Sequence, residues 1–219
     1  MQQAQKAYKG LAMEGVIATW YANNTARDVR RFKEVARTLF ERVAPPARVL
    51  EVAPGPGYLA VQMAKAGYKT AAVDISQSFV RMVGENAKKA GVAVDVRLGD
   101  AAALPFDDAS FDYVVCMAAF KNFTNPLGAL DEFHRVLEPG GQASIYDLRK
   151  DAAPADIETE VRNLGLSAIN KLLTRWTFRH MLLKSAYTVE QIERLGRQSR
   201  FGGGSVTMSG IGFELRLRK

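Results

Sequence analysis

Three acidic and two glycine positions carry the chemistry that this sequence offers. Glu51, Asp74 and Asp100 each follow a short apolar run, and Gly55 and Gly57 sit in the turn Glu51-Val52-Ala53-Pro54-Gly55-Pro56-Gly57-Tyr58. A strand that ends in a carboxylate, passes through glycines and enters a helix aims free backbone N–H groups at whatever lies in the turn. Glycines let the backbone approach a ligand where a Cβ would collide, and Pro54 and Pro56 restrict the loop before binding. The chemistry is that of holding a nucleotide. Asp74 lies nineteen residues beyond Gly55, at the end of the run Lys69-Thr70-Ala71-Ala72-Val73, placed to accept hydrogen bonds from a ribose diol.

Two ligand classes fit such a turn. Gly55-x-Gly57-x-x-Ala60 matches the dinucleotide fingerprint with its permitted terminal alanine. Glu51 argues for a different ligand, because a carboxylate at the strand end suits a cationic ammonium and repels a pyrophosphate. Downstream stand Leu98-Gly99-Asp100-Ala101, then Leu104-Pro105-Phe106-Asp107-Asp108 leading into Phe111-Asp112-Tyr113-Val114-Val115, then Leu137-Glu138-Pro139-Gly140-Gly141. This succession resembles the class I S-adenosylmethionine-dependent methyltransferases, especially their small-molecule branch with ubiquinone- and menaquinone-biosynthesis-type enzymes. The resemblance covers residues 47 to 149 closely. One departure is that Ala53 occupies the first glycine of the family's acidic-x-Gly-x-Gly-x-Gly loop, so its backbone is expected to avoid positive φ.

The resemblance implies S-adenosylmethionine as cofactor and a role for each matching residue. Glu51, Ala53, Gly55 and Gly57 would meet its aminoacid portion, and Asp74 its ribose. Ile75 would lie on the adenine face, Asp100 and Ala101 at the adenine edge, and Met117 beside the methionine portion. Methyl transfer is an in-line displacement that needs donor and acceptor held together and water excluded, so no catalytic signature is required. A base matters for an acceptor that arrives protonated. Asp147, at the end of the fifth expected strand beside Tyr146, is the first candidate base and His180 the second. His134 reads as a surface or satisfied helical residue. Phe120, Asn122 and Phe123, with Lys121, suggest an apolar acceptor pocket with a polar edge, or simply core packing. Trp20 and Tyr21 either pack under the following helix or close over cofactor and acceptor.

The elements that must position these groups follow from pattern. Apolar runs alternating with helical periodicity give a parallel sheet covered on both faces. Strands are expected near 48–52, 70–74, 93–98, 111–117 and 142–148, with helices near 58–66, 77–90 and 126–137. Gly67 and Gly91 are C-terminal caps, and Asn125-Pro126 supplies an N-cap and a first-turn proline. The fold class is thus α/β: a Rossmann-like, seven-stranded, mostly parallel sheet with a C-terminal antiparallel hairpin at 205–208 and 212–218. Residues 1–46 read as an N-terminal helical cap and 47–219 as the cofactor-binding domain, with a helical lid inserted at about 151–187. Within the cap, Asn23-Asn24 breaks a first segment, and Thr25 with Asp28 caps a helix carrying Val29, Phe32, Val35, Ala36, Leu39, Phe40 and Val43. Within the lid, Pro154 opens one helix, Gly165 interrupts it and 166–183 forms a second. Thr188 and Gln191 form a further capping box.

Composition sets the outer bounds. The chain has 219 residues, 47% of them hydrophobic, enough for one domain with additions. The best apolar run, Tyr113 to Phe120, is strand-sized, so no transmembrane segment is expected, and the N-terminus lacks a signal peptide's features, which predicts a cytoplasmic protein. Cys116 is the single cysteine and rules out an internal disulfide or multi-cysteine zinc site; in an apolar strand it reads as a buried thiol. The net charge of +7 invites a nucleic-acid reading, yet no binding module or basic-aromatic array accompanies it. Asn125-Pro126-Leu127 stands too late for the Asn/Asp-Pro-Pro-aromatic of base-amino methylation, and Cys116 is not in a loop as a cytosine-C5 nucleophile would be. A small-molecule acceptor remains the main expectation, with an anionic or membrane-associated one compatible with the charge. The alternatives are an RNA or protein methyltransferase and a non-catalytic cofactor-binding module. The sequence carries no signature of oligomeric state.

Overall fold

The computed structural model describes residues 8–9, 13–25, 29–163 and 183–219. Helices α1 (Gly15–Thr25) and α2 (Val29–Arg42) precede β1 (Arg48–Val52), α3 (Tyr58–Lys65), β2 (Lys69–Asp74), α4 (Gln77–Ala90), β3 (Asp95–Leu98) and β4 (Phe111–Met117). After a 3-10 turn at Phe120–Asn122 come α5 (Pro126–Val136), β5 (Leu137–Leu148), α6 (Pro154–Asn163), α7 (Val189–Gln198), β6 (Ser205–Ser209) and β7 (Gly212–Arg218). The strands form one sheet in the order β3-β2-β1-β4-β5-β7-β6. All pairings from β3 to β5 are parallel, while β7 runs antiparallel to both β5 and β6. The expected hairpin is present, and its second strand is the inner one.

Two apolar layers sandwich the sheet. On one face Val35, Ala36 and Leu39 of α2 and Leu59 and Met63 of α3 pack on Val49, Tyr113 and Val115. On the other, Leu130 and Phe133 of α5 and Ile192 of α7 pack on Leu50, Val52, Val114 and Ile145. Because side chains alternate along each strand, one register feeds both layers. Of residues 1–46, α2 is therefore part of the sheet's cover, whereas α1 lies beside α4 at the carboxyl ends of the strands. Cys116 is fully buried, as its strand position requires.

Local chemistry explains most element ends. Ser76 accepts from the Phe79 N–H at the start of α4, and Gly91 closes that helix at φ +70°. Asn125 accepts from Gly128 N–H, with Pro126 in the first turn. Thr188 and Gln191 make both halves of a capping box. The expected break at Asn23-Asn24 does not occur: α1 continues to Thr25, whose hydroxyl donates back to the Tyr21 carbonyl at 2.6 Å. The capping pair expected of Thr25 and Asp28 involves residues 26–28, outside the described ones. Helix α6 opens at Pro154 as expected, and its Ile157 and Val161 pack with Leu183 and Ile211. The second lid helix expected at 166–183, with Gly165 and His180, falls on residues that are almost all outside the described ones.

A polar network spans α2 and the sheet. The Arg42 guanidinium pairs with Glu214 and also donates to Ser144 Oγ (3.0 Å) and Tyr146 Oη (3.1 Å). Tyr146 Oη in turn donates to Glu214 Oε1 at 2.9 Å. Burial pushes the Glu214 carboxyl up, but the bonds from Arg42, Ser144 and Tyr146 outweigh it and hold the group below the usual range. Tyr146 thus points toward α2, away from the face of its neighbour Asp147. With side-chain exposures of 17% and 14%, the Arg42–Glu214 pair is too buried to lose a partner cheaply. Arg42→Met is expected to cost about 3 kcal/mol of stability, read as a lowered urea midpoint at neutral pH. Adding Glu214→Gln should recover much of that loss; no loss in the single variant would show the pair to be idle.

Candidate cofactor and acceptor site

A cavity of about 780 Å³ opens at the carboxyl ends of β1, β2 and β4, under α1. Its floor is the turn between β1 and α3. Gly55 and Gly57 hold φ +56° and +79° there, backbone that glycine adopts without strain. A Cβ on Gly57 would lie 2.8 Å from Val83 of α4, so this glycine also permits the close approach of α3 and α4. Ala53 departs from expectation. It sits at φ +56°, in the left-handed region, with its N–H donating to the Val73 carbonyl at 2.8 Å. Alanine accepts this conformation at a cost of about 1 kcal/mol, since β1, β2 and the loop demand it together. Ala118, after β4, does the same at φ +58°.

Two carboxyls stand in this floor. Asp74 is buried and its oxygens accept from Gly55 N–H (3.2 Å) and Ser76 N–H (2.9 Å), tying the glycine turn to the start of α4. The carboxyl retains acceptor capacity that a ribose diol could take. Glu51 is 2% exposed, and its Oε2 has no hydrogen-bond partner among the described residues. Burial drives both groups upward against the opposing pull of backbone N–H groups, Asp74 to about 6 and Glu51 to about 8. Both folded values are raised. Their contribution to stability is therefore fully present below the ordinary carboxyl values and is lost as pH rises through about 6 and about 8 respectively. The oxygen of Glu51 left without a partner is placed to accept from a cation.

The remaining expected residues divide. Ile75, Asp100, Ala101 and Met117 line the cavity, Ile75 with nearly half its surface exposed. Asp100 Oδ1 accepts from Ala102 N–H at 2.9 Å, which shapes its turn. Tyr21 reaches over the floor, its ring 3.6 Å from where a Gly55 Cβ would stand, and packs edge-on against Phe79. Trp20, Asn122 and Phe123 complete the mouth and the acceptor side. Gly57 lies behind the wall rather than in it.

Two expected acceptor-side residues are elsewhere. Phe120 is fully buried against Phe123 and Tyr187 and forms core, because the 3-10 turn rotates it inward. Asp147 is 1% exposed and saturated: it accepts from Lys121 N–H (2.9 Å), Lys121 Nζ (2.9 Å) and Leu148 N–H (2.7 Å). It forms no part of the cavity wall and is not placed to meet an acceptor. Its partner Lys121 is on the wall instead, with Nζ also donating to the Ala118 carbonyl at 2.9 Å. His180 lies outside the described residues. His134 packs edge-on against Phe201 in α5, a structural position, and burial lowers its pKa.

Sequence reasoning did not single out Tyr8 or Glu14. Tyr8 lines the cavity and bridges to Phe123, and burial raises its phenol pKa. Glu14 accepts from Gln77 N–H (2.8 Å) and Ser78 N–H (3.0 Å), fastening the N-terminal segment to the first turn of α4. Both roles arise from docking across at least sixty residues of chain, for which the sequence carries no local signal.

Tested against S-adenosylmethionine, these residues fit: an orphaned carboxyl oxygen for its ammonium, an acidic ribose-side residue, an exposed apolar side chain for the adenine and room enough for an acceptor. Comparison with known proteins agrees. Residues 50–145 match the family model described as a methyltransferase domain. The ubiquinone/menaquinone biosynthesis C-methyltransferase of Cupriavidus metallidurans is 35% identical over 52% of this chain and 48% of its own length. The chain thus spans about half the length of the curated relatives it matches. Among solved structures, an S-adenosylmethionine-dependent methyltransferase from Aquifex aeolicus aligns with TM-score 0.65 at 17% identity, over 87% of this chain and 97% of that one. The [4+2]-cyclase SpnF aligns at 0.58 and 24% identity, over 80% and 58%. Residues 50–145 thus match a methyltransferase domain, and the sheet order gives the chain the fold of the Aquifex aeolicus structure.

Proposed function

We propose that the protein transfers the methyl group of S-adenosylmethionine to an apolar, ring-bearing small molecule, and that it works in the cytoplasm. The observation that supports this reading best is the buried Glu51 Oε2, without a hydrogen-bond partner among the described residues, at the floor of a cavity whose far wall is largely apolar. When bound, the cofactor supplies a methyl group on a sulfonium. Glu51 holds the ammonium of its aminoacid portion beside the turn of Ala53, Gly55 and Gly57, and Asp74 accepts from the ribose while still fastening Gly55. Ile75 covers the adenine, Asp100 and Ala101 border its edge, and Met117 flanks the methionine portion.

On the acceptor side, Tyr8, Tyr21 and Phe123 exclude water and orient a flat ring, with Trp20 and Asn122 at its edge. Lys121 is held by Asp147 and Ala118, which leaves one ammonium N–H for the acceptor. A cation at that position favours an acceptor in its anionic form, such as a phenolate. Orientation supplies most of the rate, and His180 remains the candidate base for an acceptor that arrives protonated. Carbon is the atom given in the Cupriavidus relative's name, so phenolic and quinol rings head the panel to be tried.

Labelled methyl transfer to that panel is the direct test. Binding of cofactor without turnover on any member would favour a binding module, and stabilisation by NAD rather than S-adenosylhomocysteine would overturn the reading. Asp74→Ala, with its fold verified by circular dichroism, is expected to weaken S-adenosylhomocysteine binding by about 1 to 3 kcal/mol. Unchanged affinity would remove Asp74 from the site. Glu51 offers a sharper measurement. With its pKa at about 8 it is mostly protonated in the ligand-free protein at neutral pH, and a bound ammonium favours the carboxylate. Binding at pH 7 should then release about one proton, seen by calorimetry as an enthalpy that changes with the buffer's ionisation heat. Glu51→Gln should abolish that release; buffer-independent heats in the parent protein would separate Glu51 from the ammonium.

A further inference from the structure

The cavity is lined by five carboxyl side chains and one cation. Among the described residues of its wall, Glu14, Glu51, Asp74, Asp100 and Glu160 are acidic, and Lys121 is the lone basic side chain. Lys121 is also nearly buried, at 7% exposure. Taking a charge out of water is expensive, and a buried ion pair often fails to recover that cost as stability. The Lys121 backbone N–H already ties the 3-10 turn to the end of β5 through Asp147, so the ammonium adds a charge to a contact that the fold makes without it.

That charge is held in one place. Lys121 Nζ donates to Asp147 Oδ1 and to the Ala118 carbonyl, both at 2.9 Å, and Ala118 is itself fixed by its N–H donating to the Tyr146 carbonyl at 2.7 Å. Asp147 lies off the wall and shares its charge with two backbone N–H groups. Toward the cavity the ammonium is therefore the nearer and less neutralised member of the pair. An aromatic slot adjoins it. Lys9 N–H donates to the Asn122 carbonyl at 2.8 Å, and a bridge pairs Tyr8 with Phe123, both of which line the cavity.

We propose that Lys121 determines acceptor specificity: it selects a ring that carries an acidic hydroxyl and binds that oxygen as its anion, the proton leaving to solvent. This rests on the methyl-transfer reading and narrows its acceptor class to ionisable phenols and enols, against ring ethers and ring amines. Lys121 serves as a fixed cation, with Asp147 as the residue that positions it. The carboxyls elsewhere on the wall oppose an anion, which leaves the oxygen one place to sit and so orients the ring.

The probes are para-nitrophenol and para-nitroanisole, which share a ring and differ in the ionisable hydroxyl, added to the full chain saturated with S-adenosylhomocysteine. Read from the visible absorbance of its anion, the nitrophenol should be about tenfold more acidic when bound than when free. At neutral pH the nitroanisole should bind about tenfold more weakly. Lys121→Met should erase the gain in acidity and bring the two affinities together, while keeping the melting-temperature rise given by S-adenosylhomocysteine. Lys121→Met/Asp147→Asn removes both charges of the pair and gives the same readout should the single variant fail to fold. Absent binding of the nitrophenol, unchanged acidity, or equal weakening of both probes in the variants would overturn the inference and leave the transfer reading standing. A parent protein that S-adenosylhomocysteine does not stabilise would take down both.

Discussion

The buried carboxylate of Asp74 is the tie on which the site depends. Its two oxygens join the Gly55 N–H on one side and the Ser76 N–H on the other, so one side chain sets the distance between the glycine turn and the first turn of α4. Those two backbone segments form the floor of the cavity, and Glu14 then fastens the N-terminal segment to the same turn of α4. The arrangement is strained in two ways. Asp74 is held where water cannot solvate it, which raises its pKa to about 6, and Ala53 is held in the left-handed region next to it. Strain of this kind persists because the surrounding parallel strands leave the turn no alternative path.

The sheet keeps its polar investments apart. Tyr113, Ser144, Tyr146 and Glu214 gather around Arg42 on the α2 face, and Lys121 and Asp147 pair at the end of β5 on the other. Strand alternation produces this separation, since Tyr146 and Asp147 are neighbours in sequence and must point to opposite faces. One group therefore secures a helix to the sheet, while the other stiffens the acceptor side and carries a cation to the cavity wall. Both are well satisfied, which is the condition for keeping charges inside a protein. Glu51 Oε2 is the one buried side-chain polar atom without a partner among the described residues, at the point where an ammonium is proposed to sit.

Much of this was legible in the chain. The expected β1, β4 and α4 coincide with the observed elements, and the caps at Gly91, Asn125 and Thr188 are where their side-chain chemistry puts them. Capping and glycine turns act within a few residues, so sequence suffices to read them. The cavity-lining residues from Glu51 to Met117 were readable for a related reason: in a parallel α/β sheet, strand ends collect on one side whatever the packing. The misreadings were of another sort. Asn23-Asn24 looked like a break, yet burial of Ala18 and Ala22 keeps α1 intact beyond it.

Sequence by itself determined the alternation of strands and helices, the nucleotide-type turn and the carboxylates at its strand ends, because these depend on short-range sterics and on residue type. Tertiary structure decided which polar side chains are spent on the fold and which are open to a ligand. Asp147 looked available and is bound by Lys121; Phe120 looked like a pocket wall and is core; Tyr8 and Glu14 looked ordinary and close over the site. The physical reason is that a side chain's solvation and partners are set by groups brought in from distant parts of the chain, and no local spacing records them.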